Sequence, residues 1–219
     1  MQEEKIPFQP IGNYGIIGNQ HTIALVGING SIDFMCFPRF DSPSVFASIL
    51  DRKKGGHFTI QPDLENQDYK QQYLPDTNVL LTRFLAYDGM VEIIDYMPVK
   101  EKEHNCTLIR KVTAVRGKVK IKMNCTPRFN YARDSHEVSQ AHAGKITFTS
   151  SNWAIGLLSD TEMNVKGDSA VAEFNLEEKE TVNFVMEATS EHGDQEDEKE
   201  SLAQYVADTF TETVNYWKN

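Results

Sequence analysis

Cysteine is scarce in this sequence. Only three of the 219 residues are cysteines, Cys36, Cys106 and Cys125, an odd and sparse set that does not fit the disulfide framework of a small secreted domain. Cys106 and Cys125 lie in alternating apolar segments, where a free thiol packs as a small hydrophobic side chain. The sequence therefore predicts reduced cysteines in a core and a cytoplasmic location.

Basic residues and long apolar runs are also in short supply. The chain has 22 lysines and arginines against 32 acidic residues, a formal net charge of -10, whereas nucleic-acid binding depends on basic side chains that neutralise phosphates. No apolar run approaches the roughly 20 residues that cross a bilayer, and the first residues lack the basic and apolar regions of a secretion signal. We expect no nucleic-acid partner and no membrane partner.

Motifs for metal and nucleophilic chemistry are missing as well. The six histidines are scattered, with no Cys-x-x-Cys or His-Glu-x-x-His spacing, so we expect no metal and no cofactor. Gly12, Gly15 and Gly18 are spaced as in a glycine-rich loop but lack the βαβ context of a phosphate site, and turns at strand ends explain them better. No nucleophile elbow and no pair of carboxylates stands out, so no residue is assigned a catalytic role.

In many segments of the sequence, apolar residues recur at every second position. Residues 118–125 alternate strictly between polar and apolar side chains, as in a half-buried strand. Residues 106–115 precede them across Arg116-Gly117, and together the two segments predict a hairpin. A second hairpin is predicted where two apolar runs flank Asp88-Gly89, a dipeptide that tolerates the positive φ angles of a tight turn.

Short runs of the same kind recur along the chain and decide the fold class. Turn residues separate them and no helical stretch is long enough for a crossover, which favours an all-β fold with a large antiparallel β-sandwich. Residues 44–50 predict one or two helical turns instead. The further predicted strands are 22–26, 31–37, 57–61, 145–150, 153–158, 170–174 and 181–189.

The pattern changes near residue 190. Residues 191–200 contain six acids and one lysine, and such a run repels itself and buries no core, which predicts a solvated linker. Ser201 then suits the N-cap of a helix over 201–219, and residues 1–190 form the predicted sandwich domain. The helix has one apolar stripe at helical spacing, formed by Leu202, Tyr205, Val206, Phe210, Val214 and Trp217.

This stripe must pack on something, because an isolated helix of this length is marginal in water. Two arrangements remain open, docking on the sandwich itself or continuation into a following domain. The first arrangement would also suit an independent structural or interaction protein.

One loop is stiffened by two prolines. Pro38 and Pro43 restrict the backbone on both sides of Arg39, Phe40 and Asp41, so these three side chains project from a pre-ordered segment. An internal tether from the arginine to the aspartate or to the backbone is one interpretation. The other is a rigid knob presented to another domain, to an active-site rim or to a sugar, since a stiff loop loses little entropy on docking.

Aromatic side chains support a second hypothesis, in which the sandwich itself binds glucan. Sugar sites place flat aromatic faces beside polar groups, although aromatic residues fit a sandwich core equally well. Trp153 and Tyr131 are the preferred sugar-stacking residues. The complete set of aromatic candidates is Tyr69, Tyr73, Phe129, Tyr131 and Trp153.

Five sequence blocks near the N-terminus resemble a known family. In order they are YGIIG (14–18), HTIALV (21–26), NGSID (29–33), PRFDSP (38–43) and GGHF (55–58). This order is similar to the opening segment of the bacterial and archaeal glucoamylases and trehalases of glycoside hydrolase family 15. A weaker similarity continues to Tyr216-Trp217.

The resemblance implies a β-sandwich N-terminal domain, a linker with a helix, and then an (α/α)6 barrel that hydrolyses α-glucosidic bonds with inversion. The barrel carries the acid and base glutamates, so no catalytic residue transfers to this chain. The implied partner is that downstream catalytic domain, and the implied substrate of the parent enzyme is an α-glucan or trehalose.

Two neighbouring residues, the last of the third block and the one that follows it, carry separate expectations. The family often has Trp-Leu where this chain has Phe34-Met35, and a core role for Phe34 tolerates that exchange better than a sugar platform does. Asp33 is expected to be a turn carboxylate that bonds to nearby backbone N–H groups.

Overall fold

The computed structural model describes residues 8–99, 106–151, 153–189 and 201–219, in which two antiparallel sheets and one C-terminal helix account for most of the ordered backbone. This confirms the predicted all-β sandwich with a helix at its end. The acidic linker predicted over 191–200 lies outside the described residues. Within the described ranges, no helix is long and apolar enough to cross a membrane.

The strands of sheet A are β1 (Tyr14–Gly18), β2 (Ile23–Gly27), β3 (Ser31–Cys36), β4 (Ser44–Phe46), β5 (His57–Pro62), β10 (Val119–Thr126), β14 (Asn164–Lys166) and β15 (Ser169–Leu176). Those of sheet B are β6 (Asp68–Tyr73), β7 (Leu80–Leu85), β8 (Met90–Tyr96), β9 (Thr107–Arg116), β11 (His136–His142), β12 (Lys145–Ser150), β13 (Ala154–Ser159) and β16 (Thr181–Thr189). The strand order of sheet A is β1-β2-β3-β5-β10-β15-β14, and β4 also pairs with β3. The strand order of sheet B is β11-β12-β13-β16-β9-β8-β7-β6.

The inner faces of the two sheets share one apolar core. Alternate residues of each inner strand point into it, and aromatic rings bridge the sheets, as where Phe58 of sheet A meets Phe184 of sheet B edge to face at 6.2 Å. Cys36, Cys106 and Cys125 are free and buried, as the sequence predicts, and Cys106 and Cys125 belong to this core. Burial raises the pKa of the Cys106 and Cys125 thiols, so both stay protonated and unreactive.

A buried ion pair ties the two sheets together. Asp95 and Arg110 lie directly opposite each other on β8 and β9 of sheet B, and both side chains are fully buried. The Arg110 Nε donates to Asp95 Oδ1 at 2.7 Å, while its two terminal nitrogens donate to the carbonyls of Phe58 and Gly30 in sheet A, at 2.5 and 2.8 Å. The guanidinium also lies 4.8 Å from the centre of the Phe58 ring. Since a buried charge is tolerated only when it is paired and hydrogen-bonded, this arrangement fixes how the sheets face each other.

Both predicted hairpins form, but the Asp88-Gly89 connection lacks the positive φ angles expected of it. Gly117 adopts a φ of 77° between β9 and β10, in the left-handed region that glycine favours. Between β7 and β8 neither Asp88 nor Gly89 has a positive φ, so the predicted tight turn is replaced by a four-residue connection. Gly89 serves close packing there, because a Cβ atom would lie 2.8 Å from Val119.

The structure corrects two further sequence predictions on local structure. Residues 44–50 form the short strand β4 and a turn rather than helical turns, because Val45 and Phe46 are buried in the core while Phe46 pairs with Met35 of β3. Phe34, expected in the core, is only half-buried, since it pairs with Leu25 of β2 and neither belongs to the core cluster.

The C-terminal helix, Leu202–Lys218, docks on the outer face of sheet B. The Ser201 hydroxyl caps it by accepting from the Gln204 N–H. Tyr96 donates to the Val206 carbonyl at 2.9 Å, and its ring meets Phe210 edge to face at 5.7 Å. Of the two open arrangements for the apolar stripe, the described residues show docking on the sandwich. The stripe packs against Val79, Tyr96, Ile109 and Val185.

The connections between strands divide between the two ends of the sandwich. The short connections at Gly89 and Gly117 share one end, which we call the turn end. The opposite end, which we call the loop end, carries the β1–β2 turn, the loop 37–43, the segment 127–135 and the connection from β12 to β13. The sequence-predicted site residues Arg39, Phe40, Asp41, Tyr131 and Trp153 all lie at the loop end.

Candidate functional site

The loop 37–43 is held in place mainly through its backbone. The Phe37 N–H donates to the Pro43 carbonyl at 3.3 Å and the Phe40 N–H donates to the His21 carbonyl in the β1–β2 turn at 2.8 Å. The peptide between Phe37 and Pro38 is cis. The loop is therefore anchored at its base and at its tip.

The three projecting side chains of this loop remain in solvent. Arg39 and Asp41 form an ion pair at 3.3 Å, with 64% and 75% of their side chains exposed, and such exposed pairs contribute little to stability. The ring of Phe40 is 56% exposed. The ion pair between Arg39 and Asp41 that the sequence suggests is therefore present. The loop is held mainly by its backbone hydrogen bonds, and all three side chains stay accessible.

Beside this loop lies a single left-handed turn. Asn130, Tyr131 and Ala132 have φ values of 51°, 58° and 62°, a region that costs non-glycine residues about 1–2 kcal/mol each. The turn is held because the Arg128 N–H donates to the Val45 carbonyl of β4 at 2.8 Å. Strain of this kind is retained where the surrounding structure enforces it, often at functional sites.

A pocket opens between the loop and the left-handed turn. Its volume is about 100 Å³. Buried Phe37, Val45 and Phe129 form an apolar floor, and Trp153, 44% exposed, lies at its side. The remaining lining residues are Pro43, Asn130, Asp134 and Ser150.

The structure separates the five aromatic candidates into two groups. The Tyr73 hydroxyl bonds both the N–H and the carbonyl of Ile16, which covers the free edge of β1, and Tyr69 packs edge to face on the Phe84 ring at 5.5 Å. Phe129 is buried. Tyr69 and Tyr73 are each still 43% exposed, but their side chains are engaged in these contacts. Tyr131 and Trp153, 46% and 44% exposed at the loop end, stay candidates for contact with a ligand or partner.

Asp33 is buried at this end, but not as the sequence predicts. It lies within β3 rather than in a turn, and its carboxylate accepts hydrogen bonds from three hydroxyls instead of backbone N–H groups: Tyr14 at 2.7 Å, Ser31 at 2.5 Å and Ser48 at 2.7 Å. Burial and the bond to Asp33 raise the pKa of Tyr14. The network links β1, β3 and the turn after β4, so it supports the loop end structurally.

His57, in the fifth sequence block, is expected to make the stability of the fold depend on pH. Burial lowers its pKa, an effect that Arg128 and Arg52 increase and Asp33 opposes. In the unfolded chain a histidine binds a proton below about pH 6.5, whereas folded His57 resists protonation, so this residue destabilises the fold as the pH falls below that value. We expect the free energy of unfolding to fall less between pH 7.5 and pH 5.5 in the His57→Gln variant than in the unchanged chain.

Urea unfolding at the two pH values measures this slope. His142→Gln is the matched control, because His142 is exposed on β11. An unchanged slope in the His57 variant, or an equal change in both variants, would contradict the assignment.

The end of the C-terminal helix reaches the same region. The Gln20 amide donates to the Tyr216 hydroxyl at 2.7 Å, and Gln20 lies in the turn whose His21 carbonyl holds Phe40. The last helical turn therefore lies next to the loop 37–43.

Catalytic groups do not converge at this site. In the part of the chain that the structure describes, no three His, Cys, Asp or Glu side chains are placed to hold a metal ion. The two buried carboxylates, Asp33 and Asp95, are engaged with hydroxyls and with Arg110. The sequence reasoning missed the Arg110–Asp95 pair, although both residues occupy inward positions of alternating strands, which is the signal that reveals it.

These features define a large antiparallel β-sandwich module whose loop end carries the exposed side chains of Phe40, Tyr131 and Trp153, beside its C-terminal helix. The family model described as Trehalase-like, N-terminal, matches residues 7–211. The chain belongs to this family.

Individual relatives agree with this assignment. A trehalase of Thermoplasma volcanium is 34% identical over 174 residues, which cover 78% of this chain and 28% of the relative. Trehalase 1 of Sulfolobus acidocaldarius is 35% identical over 208 residues, covering 94% of this chain and 33% of the relative. A trehalase of Mycolicibacterium smegmatis is 29% identical over an alignment that covers 97% of this chain and 34% of the relative.

The chain spans about a third of the length of these relatives. Among solved structures, a polysaccharide lyase is similar with a TM-score of 0.43 and 13% identity, covering 83% of this chain and 33% of the lyase. That likeness is too distant to support a conclusion.

Proposed function

We propose that these residues are the non-catalytic N-terminal domain of a longer trehalase-like hydrolase of the glycoside hydrolase family 15 type. The observation that carries the proposal is the match of an N-terminal trehalase-like family to residues 7–211, together with relatives about three times as long. The acid and base that cleave the α-glucosidic bond would then lie in a following (α/α)6 barrel. Trehalose and α-glucans are the substrate classes of that parent enzyme.

In this proposal the sandwich spans 1–190, an acidic linker 191–200, and the helix over 201–219 leads toward the barrel. The helix ends beside the loop that bears Arg39, Phe40 and Asp41, through the bond from Gln20 to Tyr216. A domain that follows the helix would therefore meet the loop end first. The three side chains would contact that domain, near the rim of its active site.

A variant of the parent enzyme tests this contact. Phe40→Ala should lower kcat/KM for trehalose by about tenfold, because truncating an aromatic side chain at the centre of an interface typically costs more than 1 kcal/mol. Thermal unfolding of the parent should also begin at a lower temperature. Steady-state kinetics and calorimetry of the two proteins measure both effects.

Tyr87→Ala is the matched control, because Tyr87 is fully exposed at the turn end. It should leave both quantities unchanged. If the Phe40 and Tyr87 variants behave alike, the loop end is not the contact.

A further inference from the structure

We propose that the pocket beside Trp153 binds one neutral pyranose residue, such as the terminal glucosyl unit of a glucan. The inference goes beyond the proposed function, which needs no sugar site on the sandwich. It rests on the size of the pocket, on the arrangement of its apolar and polar groups, and on the strained turn that forms one side of it.

The size suits one sugar ring. A buried water needs about 10–15 Å³ of such space, so a pocket of about 100 Å³ has room for several waters or for one pyranose. The floor of Phe37, Val45 and Phe129 is buried and apolar, so water held there lacks hydrogen-bond partners on one side. A ligand with an apolar face would displace this water favourably.

The groups around the pocket match the two kinds of surface that a pyranose presents. Its C–H face can pack on the half-exposed indole of Trp153, and its hydroxyls need donors and acceptors at the ring edge. The Asn130 amide donates to Asp134 Oδ1 at 3.1 Å, which leaves one more amide N–H and further carboxylate lone pairs for a ligand. An amide and a carboxylate side by side can bind two neighbouring hydroxyls of one sugar.

The charge of the lining selects a neutral sugar. The residues that line the pocket include one carboxylate, Asp134, and neither a lysine nor an arginine. An anionic sugar would therefore be repelled, and a phosphate would have no basic partner. A neutral hexose meets neither obstacle.

The left-handed turn gives the pocket its form. Asn130 belongs to the three consecutive residues with positive φ, and both it and Phe129 line the pocket. An extended course of this segment would move the amide away from Asp134. The strained conformation therefore places a hydrogen-bonding pair beside an aromatic ring.

Tryptophan fluorescence of the 219-residue chain tests the proposal. Trp153 and Trp217 are the two tryptophans, so a Trp217→Phe variant reports on Trp153 alone. Maltose and trehalose at millimolar concentrations should give a saturable change in its emission, whereas glucuronate should give a change at least tenfold weaker in affinity. The absence of any saturable change with maltose and with trehalose would overturn the proposal.

Substitutions locate the site. By saturation-transfer NMR, Asp134→Ala and Trp153→Ala should each weaken maltose binding at least tenfold, and Tyr87→Ala at the turn end should leave it unchanged. The two pocket residues are partly exposed, and an unchanged thermal midpoint shows that the variants fold. Binding that survives both pocket substitutions would place the sugar elsewhere and overturn the assignment. Neither an absent fluorescence change nor binding that survives both substitutions would affect the proposed function. That function is tested by the hydrolysis assay and by the Phe40 variant.

Discussion

Arg110→Ala should lower the free energy of unfolding by about 3–5 kcal/mol, the range observed when one partner of a buried ion pair is removed. The substitution leaves the Asp95 carboxylate charged and fully buried without its guanidinium. It also removes a donor to the Phe58 carbonyl and one of the two donors to the Gly30 carbonyl, which keeps the Ile60 N–H, and the loss of donors to buried acceptors is costly. Urea unfolding followed by circular dichroism measures the change.

Two comparisons make this result specific. Arg83→Ala removes a partly exposed ion pair with Glu92 in the neighbouring hairpin and should cost only about 0–1 kcal/mol. Replacing both buried partners, Arg110→Met with Asp95→Leu, should recover much of the loss, because no unpaired charge remains. Equal losses for Arg110→Ala and Arg83→Ala would show that the buried pair does not tie the sheets together.

Val206→Asp should release the C-terminal helix from the sandwich. Val206 is 2% exposed, and burying it contributes about 1.5–3 kcal/mol, which an aspartate would forfeit while adding an unpaired buried charge. A released helix of this length is marginal in water. Hydrogen exchange should therefore show residues 202–218 losing their protection while the strands of the two sheets keep theirs.

Ala207→Asp is the matched control for this experiment. Ala207 is exposed on the same helical turn, so the same charge there should leave protection intact. Retained protection in the Val206 variant, or equal loss in both variants, would mean that the apolar stripe does not hold the helix.

The strands that the sequence reveals are those inside the sheets. Interior strands such as β9 and β10 alternate between apolar and polar residues because one face is buried. The sequence analysis does not find five strands: the edge strands β1, β6, β11 and β14, and the short strand β4, where it predicts helical turns. Three of them, β6, β11 and β14, are largely exposed, so no apolar alternation marks them.

Some features of the candidate site can also be predicted from the sequence, and others cannot. The stiff loop around Phe40 is visible in the sequence because prolines act locally, and so are the aromatic residues Tyr131 and Trp153. The pocket is not visible, since it depends on the left-handed course of Asn130 and on the approach of β4 to the segment after β10. The alternation of β8 and β9 marks Asp95 and Arg110 as inward residues, but that they pair with each other follows only from the register of the two strands.

The central claim is that this sandwich supports a hydrolase without breaking bonds itself. The most direct test is to incubate the purified 219-residue chain with trehalose and with maltooligosaccharides, beside the proposed longer trehalase-like protein, and to measure released glucose. The account predicts glucose from the longer protein and no release above the buffer blank from the chain alone. Turnover by the chain alone at a rate comparable with that of the longer protein would contradict it.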